Sequence, residues 1–158
     1  MIPLLDLGCG GSPEGPAGAV GLDSRRMPGV RVVARVPPLP FLDGTCAAVR
    51  AEDLLEHLGR AEAIVLLDEV CRVLVHGGTF SVETIDLEAV ARSLLRGDCS
   101  PELAARHLYC YSSFGEQWHR WAWTRASLTA ALTAACLGDI EEEHARAWHN
   151  LRFKARKG

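Results

Sequence analysis

The chain has 158 residues, 48% of them apolar and 23% charged, with a formal net charge of −3 and a pI of about 6.1. That length suits one domain with one core, and the mild acidity removes the electrostatic case for a nucleic-acid binder. No apolar run reaches membrane-spanning length and the start lacks the charged and cleavage regions of a signal peptide, so no membrane contact and a cytoplasmic location are expected. The opening run Ile2-Pro3-Leu4-Leu5-Asp6-Leu7 reads as a buried strand that stops in Gly8-Cys9-Gly10-Gly11. Glycine lets the chain turn sharply and lets a ligand lie against backbone. An open α/β sheet builds a nucleotide site at its carboxyl edge in this way. A second apolar run, Ala17 to Leu22, ends in Asp23, a carboxylate able to accept hydrogen bonds from both hydroxyls of a ribose. Between the two runs, Gly11-Ser12-Pro13-Glu14-Gly15-Pro16 cannot open a normal helix, which argues against a dinucleotide fingerprint.

Val30 to Ala34 predicts a third strand and Cys46 to Ala51 a fourth, separated by the proline-rich stretch Arg35 to Gly44. Glu52 and Asp53 follow, and two readings stand: site acids at the sheet edge, or a solvated helix start favoured by the dipole. Arg60 to Val75 is the clearest helix, stopped by His76-Gly77-Gly78, and Thr79 to Thr84 is the fifth strand. Asp86 to Leu95 predicts another helix. Residues 97–122 read as irregular and gather most of the aromatic side chains, either a loop over a satellite core or a lid over a substrate. Thr124 is an N-cap candidate for a helix over Ala126 to Cys136, ended by Gly138-Asp139. Ile140 to Ala147 and Trp148 to Ala155 complete the sheet, with Leu151, Phe153 and Ala155 inward and Arg152, Lys154 and Arg156 outward. The six cysteines are scattered. Cys46, Cys71 and Cys136 read as small buried hydrophobes. Cys99, His107, Cys110 and His119 match no compact metal-binding spacing, so no metal is expected.

Asp6-Leu7-Gly8-Cys9-Gly10 and Gly21-Leu22-Asp23 resemble the first and second motifs of the class I S-adenosylmethionine-dependent methyltransferases, and Leu55-Glu56-His57 and Arg72-Val73-Leu74 with Gly77-Gly78 resemble later ones. The likeness is to small members with a shortened first crossover. It implies a Rossmann-like α/β fold with a mostly parallel sheet, an antiparallel last strand and helices on both faces. It implies a single methyltransferase-like domain over 1–158: a cofactor half at 1–96, an aromatic loop or lid at 97–123, and the last helix and strands at 124–158. S-adenosylmethionine is the implied cofactor and S-adenosylhomocysteine the product, held by Asp6, Leu7, Gly8, Cys9, Gly10, Asp23, Ser24, Ala51 and Glu52. The departures are Arg35-Val36-Pro37-Pro38 where the family has an adenine-binding acid, Ala47 where it has an acid near the start of the fourth strand, Val75-His76 in place of Lys-Pro, and no segment ahead of the first strand. The aromatic stretch, a second subunit in a homodimer or a partner protein would then close the site.

Methyl transfer from a sulfonium is an in-line displacement, so the protein must mainly align donor and acceptor and exclude water. A hydroxyl or ammonium acceptor must also lose a proton. His119, then His57, then Glu52 are the candidate bases, for transfer to an oxygen or nitrogen of a small molecule. The alternative is a methyltransferase-fold binding or scaffold protein without independent turnover.

Overall fold

The computed structural model describes residues 1–10, 16–110 and 118–158. Among these residues seven strands form one sheet: β1 (Leu5–Leu7), β2 (Val20–Asp23), β3 (Val30–Val33), β4 (Cys46–Glu52), β5 (Leu74–Ile85), β6 (Leu137–Glu143) and β7 (Asn150–Lys157), in the order β3-β2-β1-β4-β5-β7-β6. The strands from β3 to β5 run parallel, and β7 runs antiparallel to both β5 and β6. The expected sheet, mostly parallel with an antiparallel last strand, is the one observed. Its order reverses at β1, because the chain steps outward from β1 to β3 and returns on the other side as β4. Such a switch point leaves a crevice at the carboxyl ends of the strands.

Among the described residues four helices, α1 (Arg60–Val73), α2 (Leu87–Arg96), α3 (Pro101–Tyr109) and α4 (Arg125–Ala134), and the one-turn 3-10 helix Leu55–His57 accompany the sheet. Ala63, Leu66, Leu67 and Val70 of α1 and Leu128 and Leu132 of α4 share one core with Leu5, Leu7, Val49, Ala51, Phe80 and Phe153 of the strands. Side chains alternate along a strand, so Asp6, Arg50, Glu52, Glu83 and Arg152 point to the other face. That face is ionic. Arg50 grips Asp6 with two hydrogen bonds of 2.9 and 2.8 Å. Arg152 lies 3.3 Å from Glu52, 3.4 Å from Glu83 and 3.0 Å from Glu143. Parallel strands normally carry apolar side chains on both faces; here cross-strand ion pairs serve one of them.

Thr124 caps α4 as expected, its hydroxyl accepting from the Ser127 N–H at 3.1 Å. The β7 alternation also holds, with Leu151, Phe153 and Ala155 buried. Four expectations are corrected. α1 ends at Val73, because Leu74 is already extended and begins β5. Residues 75–78 form an excursion that breaks the β4–β5 register between Cys46↔Leu74 and Ala48↔Thr79, turning at Gly77 with φ +71. Residues 101–109 are the helix α3, started by Ser100, whose hydroxyl accepts from the Leu103 N–H at 3.2 Å, and by Pro101 at the first helical position; α3 packs on α2 through Val90, Cys99 and Ala104. Cys136 is exposed rather than buried, since the chain reverses there with φ +61 and places Gly138 and Asp139 inside β6.

Candidate functional site

The glycine turn after β1 and the acid ending β2 meet. Gly8 and Gly10 both have left-handed backbones, φ +66 and +62, which glycine adopts without strain. Gly10 donates its N–H to Asp23 Oδ2 at 3.1 Å, and Arg25 donates its N–H and Nε–H to Oδ1 at 2.9 and 3.3 Å. The N–H groups of Gly8 and Cys9 both reach the Leu22 carbonyl, at 2.8 and 3.3 Å. The turn therefore offers bare Cα surface more than free amides. That surface is open at Gly10, where a Cβ would meet nothing nearer than the Gly8 carbonyl oxygen at 3.9 Å. At Gly8 it is lined by Leu54, whose Cδ1 would lie 3.1 Å from such a Cβ. Cys9 turns its thiol under the turn, where it would clash with any Cβ at Gly21. Leu7 and Ala51 are core residues, and Ser24 is exposed beside Asp23. Asp6 is committed to Arg50. Glu52 faces three guanidinium groups, those of Arg50, Arg146 and Arg152, at 3.3–3.4 Å.

Beyond Leu54 the chain turns into Leu55–His57, and a cleft of about 470 Å³ opens at the carboxyl edge of β4 and β5. Glu56, His57, His107, His119, Arg146 and His149 are among the side chains lining it. His57 and His119, the two imidazoles singled out in the sequence, stand edge to face with ring centroids 4.9 Å apart. Burial holds the pKa of both below that of a free imidazole, outweighing the hydrogen bonds to the Trp118 and His107 carbonyls and the charge of Asp53, which raise it. The segment carrying His119 is pinned by the Glu56 carbonyl, which accepts from the N–H groups of Arg120 and Trp121 at 2.6 and 3.2 Å.

Three functional candidates escaped the sequence reading. Glu56 is 1% exposed, accepts the Thr84 hydroxyl at 2.8 Å, and is pushed by burial up to about 7. Glu83 is fully buried; burial alone would raise its pKa, but Asn150 and Arg146 more than offset that and hold it low. His149 stacks on His107 with centroids 3.7 Å apart, across the cleft wall. The Glu-His pair was visible only as a family-like segment, and nothing local marked Glu83 or His149. Of the four residues weighed as a metal set, His107, Cys110 and His119 line the cleft, whereas Cys99 lies in the α2–α3 core. Within the aromatic stretch, Trp123 is buried in the main core while Trp118 and Trp121 are about half exposed. Tyr111 and Phe114 lie outside the described residues.

No protein-family model and no curated protein matches the chain. Solved structures do. An S-adenosylmethionine-dependent methyltransferase of Thermotoga maritima, described as a possible histamine N-methyltransferase, aligns with a TM-score of 0.69 over 99% of this chain and 82% of its own, at 17% identity. A 1,6-didemethyltoxoflavin N1-methyltransferase of Burkholderia thailandensis, solved with its substrate and S-adenosylhomocysteine, aligns at 0.63 over 98% and 70%, at 16% identity. The chain has the class I methyltransferase fold. That fold hosts other reactions, since the cyclase SpnF aligns at 0.62 over 99% of this chain and 74% of its own, at 16% identity. Across the neighbours compared, this methyltransferase-like chain spans from 62% to 92% of their length. Among its described residues no helix is long and apolar enough to cross a membrane.

Proposed function

We propose that the chain is an S-adenosylmethionine-dependent methyltransferase acting on an oxygen or nitrogen of a small molecule held in the cleft. The single observation that carries this reading is the Gly10–Asp23 contact of 3.1 Å, which puts an open glycine surface and a buried carboxylate side by side at the switch point. Asp23 and Ser24 would hold the ribose, and the backbone of Gly8 to Gly10 would carry the amino-acid end. When bound, S-adenosylmethionine supplies a methyl group on a positively charged sulfur. Leu54 lies against Gly8, and its neighbours Asp53 and Glu56 line the cleft, so an acceptor in the cleft would lie near the cofactor's reactive end. The imidazoles of His57 and His119, which line the cleft, would take the acceptor's proton, help worth roughly 10²–10⁴ in rate.

Calorimetry with S-adenosylhomocysteine tests this. Binding in the micromolar range is expected, with a loss of about 10- to 100-fold in Asp23→Ala, the size of a hydrogen bond to a charged group. Absence of binding at millimolar ligand would overturn it. A binding or scaffold role without turnover is the second reading. It is favoured by one observation: the Gly8, Cys9 and Gly10 amides are all satisfied internally. A chain that binds S-adenosylhomocysteine yet turns over no acceptor would fit that role.

A further inference from the structure

Glu56 is anomalous. It is a buried carboxyl group with no Arg or Lys ion pair among the described residues, and Asp53 and Glu83 add negative charge near it. Buried carboxylates are normally paired or bound to a cation. The two groups beside it are imidazoles. One ligand atom from each of Glu56, His57 and His119 lies within 4.8 Å of the other two.

The surroundings of the rings have the form that metal-bound histidines require. His57 Nδ1 is 3.4 Å from the Trp118 carbonyl oxygen, and His119 Nδ1 is 2.9 Å from the His107 carbonyl oxygen. A carbonyl can only accept, so it selects the tautomer with the proton on Nδ1 and leaves a lone pair on Nε2. A ligating histidine usually anchors its other nitrogen in this way, and a ligating carboxylate is itself hydrogen-bonded, as Glu56 is by the Thr84 hydroxyl. A tetrahedral ion with bonds of about 2.1 Å sets its ligand atoms roughly 3.4 Å apart. The three groups would therefore close by up to about 1.4 Å on binding an ion.

We propose that Glu56, His57 and His119 form a site for a borderline divalent cation such as Zn²⁺, Co²⁺ or Fe²⁺, with its open coordination positions facing the cleft. Two imidazoles and one carboxylate favour such ions over Mg²⁺ or Ca²⁺, which prefer oxygen ligands alone. Spacing concealed the site, because two ligands sit on the turn after β4 and the third is brought to them by the hydrogen bonds from Arg120 and Trp121 to the Glu56 carbonyl. The purpose of the site rests on the methyl-transfer reading: an oxygen of the acceptor fills an open position and is polarised there. In that case the imidazoles hold the cation and the cation replaces them in easing loss of the acceptor's proton to solvent. The existence of the site does not depend on that reading.

The test is titration of the full chain with Co²⁺ alone, followed by visible absorption and equilibrium dialysis, with Zn²⁺ as competitor. His57→Gln, His119→Gln and Glu56→Gln are compared with His76→Gln, a change at an exposed histidine on the 75–78 excursion. S-adenosylhomocysteine affinity and melting temperature are measured on each. One equivalent of Co²⁺ that Zn²⁺ displaces, weakened about 10- to 100-fold in each of the three variants and unchanged in His76→Gln, is the expected result. No stoichiometric binding at millimolar Co²⁺ overturns the proposal. So does binding that survives both histidine variants while those variants melt like the parent. Co²⁺ binding of the expected kind without S-adenosylhomocysteine binding keeps the cation site and removes the methyl-transfer reading; the opposite pattern does the reverse.

Discussion

Arg50→Met removes the ion pair with Asp6, together with a longer 3.4 Å contact to Glu52, which keeps Arg146 and Arg152. The Asp6 side chain is 5% exposed and its two oxygens are both taken by Arg50, whose own side chain is 27% exposed. Removing one partner of a buried pair leaves an uncompensated charge and costs about 3–5 kcal/mol. Partial exposure of Arg50 lets water reach the vacated place, so the lower end applies, about 3 kcal/mol. For a chain of this size that is a fall in melting temperature of roughly 6–12 °C. Urea unfolding followed by circular dichroism measures it directly. The double change Asp6→Leu with Arg50→Met removes both charges and should return to within about 1 kcal/mol of the parent, since apolar replacement of a buried pair is often neutral. A single variant that loses under about 1 kcal/mol, or a double variant as unstable as the single, would refute the assignment of this pair as a structural tie between β1 and β4.

Gly10→Ala should cost roughly 1 kcal/mol of stability, because its φ of +62 disfavours a side chain. It should cost far more, at least about 10-fold, in S-adenosylhomocysteine affinity by calorimetry, because its methyl would project onto the open surface; unchanged affinity would place the ligand elsewhere. Glu69 is held below its ordinary pKa of 4.5 by hydrogen bonds from Arg72. A depressed carboxylate adds stability above pH 4.5 that disappears as the pH falls through its folded value. In Glu69→Gln that component is missing, so acid titrations of stability should show a shallower fall below pH 4.5 than the parent; parallel curves would count against it. Thr124→Ala removes the α4 cap and should lower stability by about 1 kcal/mol in urea melts.

Much of the frame was legible because it depends on short-range pattern. The strand-then-glycine opening, the acid closing β2, the Thr124 cap and the alternation along β7 each follow from residues within a few positions of one another. The excursion at 75–78 was not, because Gly77-Gly78 marks a stop for helix and strand alike and only the pairing with β4 shows that the strand resumes. α3 has its start written at Ser100-Pro101-Glu102, but beyond it His107, Tyr109 and Tyr111 break the apolar period that marks a helix. Asp23 and the glycines, which the fold brings together, stand out in the sequence by their chemistry. Glu56 and Glu83 were hidden because the partners of a buried acid come from elements far away in sequence: Thr84 of β5 for Glu56, Asn150 and Arg152 of β7 for Glu83. Likewise, nothing in the order of residues announces that Leu55–His57 and the stretch before α4 come together to pair His57 with His119.

The ionic face of the sheet bears on how this chain can drift. Where a helical layer covers strands, apolar side chains can be exchanged for one another with modest loss. Across Asp6, Arg50, Glu52, Glu83 and Arg152 each side chain answers a neighbour of opposite sign, and a lone swap strands its mate. Tolerated change there must arrive in matched sets, which makes covariation of positions 6 with 50, and 83 with 152, the imprint that this architecture should leave on its descendants.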